Sequence, residues 1–523
     1  MEKEAQMKTS GTIRLAAALA VGAVAGAARA AVVLDAGECP DDVEFIEKAG
    51  FMKTLEENMP RVLALMEGRE AAESPMPDVK FILVKDFPGS NAAATARPFA
   101  REIRLGTTWA KTQSVPEVNG ALVHEFAHIV QSYGRDGRKR PPSWVSEGVV
   151  DWVRWFNFEP PERSAFIARE AARVRRHDHS YRVTAAFFDW IAKKYDPDFV
   201  IKLNKICRSG EYDDAKTWIS LLGKPQEVLA AEWRDSLPPA RKPAGAINLA
   251  SYNIRRAGKP DVGERDWTNR VHLVAGVVEK RGFEVMGLQE AYPRQIEDLR
   301  AALPGWDSFG KGRFRDFSDE ASPIFWKAER FEKLDGGQFW LSETPDEPGS
   351  KSWKAAFPRV CTWVKLHDRK TGRDFFFFNT HLDHASIEAR QNGVKVILGR
   401  IAEIAKGEPV VLSGDFNDAV VDDRLRAEIR NHPKDRTKLT PAGPDHPINV
   451  VKAVLKDTEE ISKRGHLGTE WTDNTYGEKH IKRIDYVFVS DGIDVVSHET
   501  CCDRPGGMYP SDHEAVAVTL LLK

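Results

Sequence analysis

The chain is poor in cysteine, with five in 523 residues, at positions 39, 207, 361, 501 and 502. So few and so scattered, they exclude a disulfide framework and a zinc knuckle, and the odd count leaves at least one thiol free. Charge of one sign is missing too: 76 Lys and Arg face 78 Asp and Glu, a formal net charge of -2. Bulk attraction to a nucleic-acid backbone is therefore not built in. No low-complexity tract and no repeat of solenoid period is present. With 42% hydrophobic and 29% charged residues the balance is that of a globular chain, not a disordered one. Long apolar runs are absent except for Leu15 to Ala27 (LAAALAVGAVAGA), which follows Lys8 and Arg14 and ends in Ala28-Arg29-Ala30. That is the layout of a signal peptide cleaved after Ala30, too short for the about 20 residues of a membrane span. The mature chain is expected to be secreted or periplasmic, with no transmembrane span; Met7 is a candidate start.

Composition shifts most sharply at 237–246 (LPPARKPAGA), a Pro- and Gly-containing stretch without apolar periodicity. Read as a linker, it separates a domain at 31–236 from a larger one at 247–523. Before it, apolar spacings of three and four predict helices, among them 43–68, 119–134, 146–156, 163–176 and 183–194, with strands only at 79–84 and 102–105. After it, short apolar runs dominate, with helical patterns such as 390–405 between them, so the second domain is expected to be sheet-centred with covering helices.

The first domain contains His124-Glu125-Phe126-Ala127-His128, an H-E-x-x-H pattern in an apolar helical stretch. A spacing of four puts both imidazoles on one helix face, and Glu125 is placed to act on a water beside a bound metal. Glu147 begins a second helical pattern (EGVVD) and can supply a third ligand, with Asp151 one turn on as a hydrogen-bond partner for a ligating imidazole. The blocks ALVHEFAHIVQ, WVSEGVVDWVR, SYRVTAAFFDW and FVIKLNKIC resemble, in order, those of the plant basic secretory protein family of zinc metallopeptidases. The resemblance implies a mainly helical, zincin-like α+β domain with Zn2+ on His124, His128 and Glu147, and Glu125 as general base for attack on a peptide. Tyr181 matches the tyrosine of the third block, where it either stabilises the oxyanion or packs in the core. Arg182, Ala186, Val150 and Trp152 depart from the family pattern, so the resemblance carries over the ligands but not the substrate subsites.

In the second domain, polar residues recur where strands should end: Asn253, Gln289-Glu290, His381, Asp415 and Asn417, Asp485, and Ser511-Asp512-His513. Phosphate-ester hydrolysis needs such a set: carboxylates for a divalent cation, donors for the developing charge, and a group that aligns water. The order N, QE, NTH, GDFN, IDYVFV, SDH is similar to that of the endonuclease/exonuclease/phosphatase superfamily. That resemblance implies a four-layer α/β sandwich using Mg2+ or Mn2+. Glu290 would be the metal ligand with Asn253 and Asp512 near it. Asp415 and Asn417 would orient water and phosphate, His381 would donate to phosphoryl oxygens, and His513 would be held by Asp485. Either Asp415 or His513 takes the water's proton. A narrower bacterial branch is resembled through SYNIR, GKGR, SPIF, FWLSETP and NTHLDH, which implies a pocket rim of Arg313, Glu320, Arg359, Asp383 and His384.

The second domain is slightly more acidic than basic, which weakens duplex DNA as a substrate without touching the catalytic set. Two readings follow. One is a bifunctional hydrolase, a zinc peptidase joined to a Mg2+-dependent phosphoesterase acting on a nucleic acid, lipid or sugar phosphate. The other is a phosphoesterase whose N-terminal domain is a non-proteolytic binding module.

Overall fold

A computed structural model of the protein describes residues 31–73, 78–87, 92–238, 242–420, 439–477 and 482–523. The expected export segment, 1–30, and positions 239–241 of the expected linker lie outside the described residues. Among the described residues no helix is long and apolar enough to cross a membrane. The chain packs into two compact units: the described residues up to Pro161 with Pro197–Tyr212, and Glu162–Asp196 with Asp213–Lys523. Helices Tyr181–Lys194 and Gln226–Ser236 thus group with the second unit although they precede the Pro- and Gly-rich stretch. The ties are specific: Arg234 Nη2 lies 3.1 Å from Glu499 Oε1, and Cys502 Sγ donates to the Glu227 carbonyl at 3.5 Å. Composition marks where chain chemistry changes, and packing need not change there.

The first unit carries a four-stranded sheet of β1 (Val32–Asp35), β2 (Val79–Val84), β3 (Ala94–Arg97) and β4 (Glu102–Gly106), in the order β1-β2-β4-β3. The apolar pattern over 43–68 is interrupted at Gly50, whose φ of 69° is left-handed, so two helices form, Val43–Ala49 and Phe51–Glu67. Periodicity survives such a break, which is why it does not reveal it. Helix Val115–Gln131 starts earlier than its apolar spacing predicts because Pro116 sits in the first turn, where a missing N–H leaves no bond unmade. It ends where Ser132 turns left-handed, at φ 44°. Its buried face includes Val118, Leu122, Phe126 and Ile129, leaving His124, Glu125 and His128 half-buried at the edge.

Among the described residues the second unit holds thirteen strands: β5 (Ile247–Asn253), β6 (Val285–Gln289), β7 (Trp306–Phe309), β8 (Ile324–Lys327), β9 (Phe331–Trp340), β10 (Val360–Asp368), β11 (Arg373–His381), β12 (Val410–Asp415), β13 (Lys456–Asp457), β14 (His466–Gly468), β15 (Asp485–Val489), β16 (Ile493–Thr500) and β17 (Val516–Leu522). They form two mixed sheets, β14-β16-β17-β5-β6-β8-β7 and β13-β15-β12-β11-β10-β9. Leu249, Phe377, Val411 and Val487 meet in one apolar cluster drawn from both sheets. Their sequence neighbours point the other way: Ala250 and Tyr252 pack with Val274 and Val278 of helix Trp267–Arg281. Likewise Leu412 and Phe488 pack with Val394 and Ile397 of helix Ile387–Ala405. Strands buried on both faces read as unbroken apolar runs, as they do here.

Toward one end the layer between the sheets becomes polar. Gln289 Nε2 donates to Asn379 Oδ1 at 2.7 Å, Ser413 Oγ donates to the same oxygen at 3.0 Å, and Asn379 Nδ2 donates to the Leu288 carbonyl at 2.7 Å. Gly287 faces this network, and a Cβ there would fall well inside contact distance of Ser413 Oγ and Asn379 Cγ. Gly287→Ala is therefore expected to destabilise the unit by about 1–3 kcal/mol through overpacking. Gly276, on helix Trp267–Arg281 with open space around it, should tolerate alanine with no loss. Urea unfolding of both variants tests the contrast.

All five cysteines are free and buried. Burial pushes the Cys207 and Cys502 thiols up to about 12.

Candidate functional sites

In the first unit, helix Val115–Gln131 presents His124 and His128, and helix Ser143–Trp152 presents Glu147. Both imidazole Nε2 atoms lie 3.5 Å from Glu147 Oε2. The other ring nitrogens are engaged: His124 Nδ1 with Asp151 Oδ1 at 2.9 Å, His128 Nδ1 with Gln131 Oε1 at 2.8 Å. Gln131 is itself fixed by donating to the Ser146 carbonyl at 2.7 Å. With Nδ1–H donated, each Nε2 offers a lone pair toward the same point. Burial alone would lower the His124 pKa, but Asp151 and then Glu147 raise it to about 10. Burial opposes charge on Glu147, yet His124 and His128 hold it down to about 2. The field thus favours positive charge between the imidazoles. A tetrahedral zinc with bonds of about 2.0 Å spaces its ligand atoms about 3.3 Å apart, so the residues present fit that ion. Glu125 follows His124 on the helix and is half-buried. Tyr181 opens helix Tyr181–Lys194 and is 48% exposed, so it is no core residue; it belongs to the other compact unit.

In the second unit, strand register gathers the polar ends. β5 and β6 are parallel with Asn253 beside Gln289, β11 and β12 are parallel with His381 beside Asp415, and β15 runs antiparallel with Asp485 opposite Asp415. Asn253 Nδ2 donates to Asp415 Oδ2 at 3.0 Å and to Glu290 Oε1 at 3.3 Å. Glu290 has φ 60°, a strained value for a non-glycine residue, and its Oε2 accepts from the Arg256 backbone N–H at 3.0 Å. His513 Nδ1 pairs with Asp485 Oδ2 at 2.8 Å, and its Nε2 lies 3.9 Å from Asp415 Oδ2. Asn417 backbone N–H donates to Asp415 Oδ1 at 2.8 Å, and its Nδ2 sits 2.8 Å from His381 Nε2.

The electrostatics separate these groups. Burial, then the neighbouring Asp485, pushes Asp415 up to about 7. Burial raises Asp512 to about 6, with His513 opposing and Glu290 adding. His513 is raised well above its usual value because Asp485 outweighs burial. His381 goes the opposite way, lowered by burial and then by Arg359 and Arg313. Excess carboxylate at Glu290, Asp415, Asp485 and Asp512 suits a hard divalent cation on oxygen ligands.

Arg313, Glu320, Arg359 and His381 line one pocket, and both arginines are buried. Arg313 Nη1 holds Glu320 Oε2 at 2.8 Å, and Arg359 Nη2 lies 3.0 Å from His384 Nδ1. Asp383 Oδ2 is 3.6 Å from Arg359 Nε. The expected rim residues are therefore brought together. Two residues without an assigned role join the cluster: Arg255, whose Nη1 lies 3.2 Å from Asp512 Oδ2, and Asp473, bridged to His513 through the backbone. Arg255 was within the SYNIR block, whereas Asp473 lies in a loop with no local signal.

Two family models match: "Peptidase of plants and bacteria" over residues 42–233 and "Endonuclease/Exonuclease/phosphatase family" over residues 250–513. No curated protein matches the chain. Among solved structures, an endonuclease/exonuclease/phosphatase from Bacteroides vulgatus is 30% identical, covering 53% of this chain and 99% of its own, with a TM-score of 0.46. A mannosyl-6-phosphatase from Bacteroides thetaiotaomicron is 31% identical over 53% of this chain and 100% of its own, TM-score 0.46. A functionally unknown conserved protein from Enterococcus faecalis is 26% identical over 53% and 100%, TM-score 0.45. With a matched stretch spanning half of its length and the polar strand ends gathered in one place, the chain is a hydrolase that belongs to the endonuclease/exonuclease/phosphatase family, and the segment before that stretch matches the model of the plant and bacterial peptidases.

Proposed function

We propose that the protein is an exported bifunctional hydrolase, a Mg2+- or Mn2+-dependent phosphoesterase on a four-layer α/β sandwich joined to a zincin-like zinc metallopeptidase. The observation that carries the phosphoesterase reading is the convergence of Asn253, Glu290, Asp415 and His513 at one end of the sheets. Glu290 and Asp512, with Asn253 beside them, would hold the divalent cation, which when bound supplies charge neutralisation for the phosphoryl group. His381, kept neutral, donates to a phosphoryl oxygen, and the buried pair Arg313 and Arg359 attracts the anion. Asp415, raised to about 7, takes the proton from the attacking water at neutral pH. His513, charged beside Asp485, stabilises negative charge as it develops on phosphorus-bound oxygen. In the N-terminal domain His124, His128 and Glu147 would hold zinc, which supplies Lewis acidity toward a peptide carbonyl, with Glu125 as the proton acceptor. The complete donor set favours this over a purely binding role for the domain.

A panel of DNA, RNA, lipid and sugar phosphates with added Mg2+ tests the phosphoesterase. At least one class should be turned over, chelation should stop it, and Asp415→Ala should be inert; equal turnover by wild type and variant overturns the assignment. Export is read from the N-terminus of protein recovered outside the cytoplasm, which should begin at Ala31.

A further inference from the structure

A third cluster of ligand-type side chains shares no residue with the two sites above. β14 and β16 are parallel neighbours, and their register places His466 directly beside His498. Glu459 comes from the short helix Thr458–Ile461 that precedes β14. Its Oε2 lies 3.8 Å from His466 Nδ1 and 3.8 Å from His498 Nε2, and the three donor atoms all lie within 4.8 Å of one another.

The hydrogen bonds around the cluster fix which ring nitrogens carry protons. His466 Nε2 lies 2.8 Å from the Thr469 carbonyl, an acceptor only, so that nitrogen carries the hydrogen and Nδ1 is a bare lone pair. Thr458 Oγ1 gives its hydrogen to the Val487 carbonyl at 2.8 Å. It therefore accepts from His498 Nδ1 at 2.9 Å, which leaves Nε2 of His498 bare. Among the described residues, His466 Nδ1, His498 Nε2 and Glu459 Oε2 are buried atoms with no hydrogen-bond partner. At 3.8 Å neither histidine is hydrogen bonded to the carboxylate. Two lone pairs and a carboxylate oxygen thus face one point with no proton to share, an arrangement that is costly unless a cation fills it.

Arg483 is the competing cation: it lies against Glu459 but gives no hydrogen bond to either bare imidazole nitrogen. Its Nη atoms grip both oxygens of Asp457 at 2.7 Å. Its Nε lies 2.7 Å from Glu459 Oε2, at an angle that leaves both atoms without a hydrogen bond. Asp457, Glu459 and Arg483 together leave one negative charge beside neutral imidazoles. Burial is the main reason both imidazoles stay neutral, as ligation requires, with Arg483 pushing the same way. Nitrogen-rich donors of this kind suit zinc or a similar transition ion over Mg2+ or Ca2+. The two carboxylate–imidazole edges at 3.8 Å need to close by about 0.5 Å to span a tetrahedral edge, and the imidazole–imidazole edge, within 4.8 Å, by at most about 1.5 Å.

We propose that Glu459, His466 and His498 form a structural zinc site that staples the segment from Thr458 to Gly468 onto the edge of the seven-stranded sheet. The test uses the full chain, stripped with chelator, reloaded with zinc and desalted. His466→Ala, and His466→Gln, which keeps the volume and a donor for the Thr469 carbonyl, should each hold one zinc equivalent fewer than wild type by elemental analysis. In a His124→Ala background, Co2+ loading should still give the intense visible bands of a tetrahedral ion, and adding His466→Gln should remove them. Zinc should raise the Tm of wild type by more than that of either His466 variant. If folded His466→Gln carries as much zinc as wild type, the proposal is overturned, whichever metal the N-terminal site holds. If His466→Ala does not fold, the comparison with His466→Gln decides.

Discussion

His513→Ala is expected to lower kcat for phosphate-ester hydrolysis about a thousandfold, within the range that a positioned proton-transfer or charge-stabilising group contributes. The effect should fall on kcat more than on KM, because the anion is drawn in mainly by Arg313 and Arg359, which the substitution leaves in place. Three contacts give the residue this weight. Nδ1 is anchored on Asp485 at 2.8 Å, Asp485 stands opposite Asp415 in the strand register, and Nε2 points toward Asp415 Oδ2 at 3.9 Å. Removing the imidazole also leaves Asp485 buried and unpaired, a change that costs about 3–5 kcal/mol of stability. Unfolding midpoints measured beside the kinetics separate the two consequences. A thousandfold loss in protein that is still folded at the assay temperature supports the role; wild-type turnover would remove His513 from the reaction.

Glu125→Ala should reduce peptide hydrolysis by at least about a thousandfold while leaving zinc content at the wild-type level. The separation is expected because Glu125 takes no part in fixing the metal-binding imidazoles: Asp151 orients His124 and Gln131 orients His128. His124→Ala should instead lose both the metal and the activity. Elemental analysis and a peptide-library assay on the two variants give opposite metal results if the assignment holds. Should Glu125→Ala cleave peptides as wild type does, the general base lies elsewhere.

Much of both candidate sites was legible because their residues lie in short local patterns. H-E-x-x-H is one helix turn, GDFN closes the unbroken buried run of β12, and SDH lies just before β17 begins. The Glu459, His466 and His498 cluster was not legible, since two histidines 32 positions apart become neighbours only through the register of β14 on β16. Register is decided by long-range pairing, to which a local window is blind. The grouping of Glu162–Asp196 with the second unit was hidden because helix packing between distant parts of the chain decides it. Helix bounds shifted where a single backbone conformation intervened, at Gly50 and at Ser132, without disturbing the apolar spacing around them.

Four of the buried thiols, Cys207, Cys361, Cys501 and Cys502, are held by burial in a form that the redox state of the surroundings scarcely touches. A thiol held far above its usual pKa yields almost no thiolate at neutral pH, and thiolate is the species that oxidants and disulfides attack. Vulnerability is thereby confined to the interval between synthesis and burial, when Cys501 and Cys502 are adjacent, exposed and free to pair wrongly with Cys39, Cys207 or Cys361. For these four thiols, order of events matters more than chemistry of the medium: a chain that closes its sheets before meeting an oxidant keeps them reduced, and one that meets it first does not.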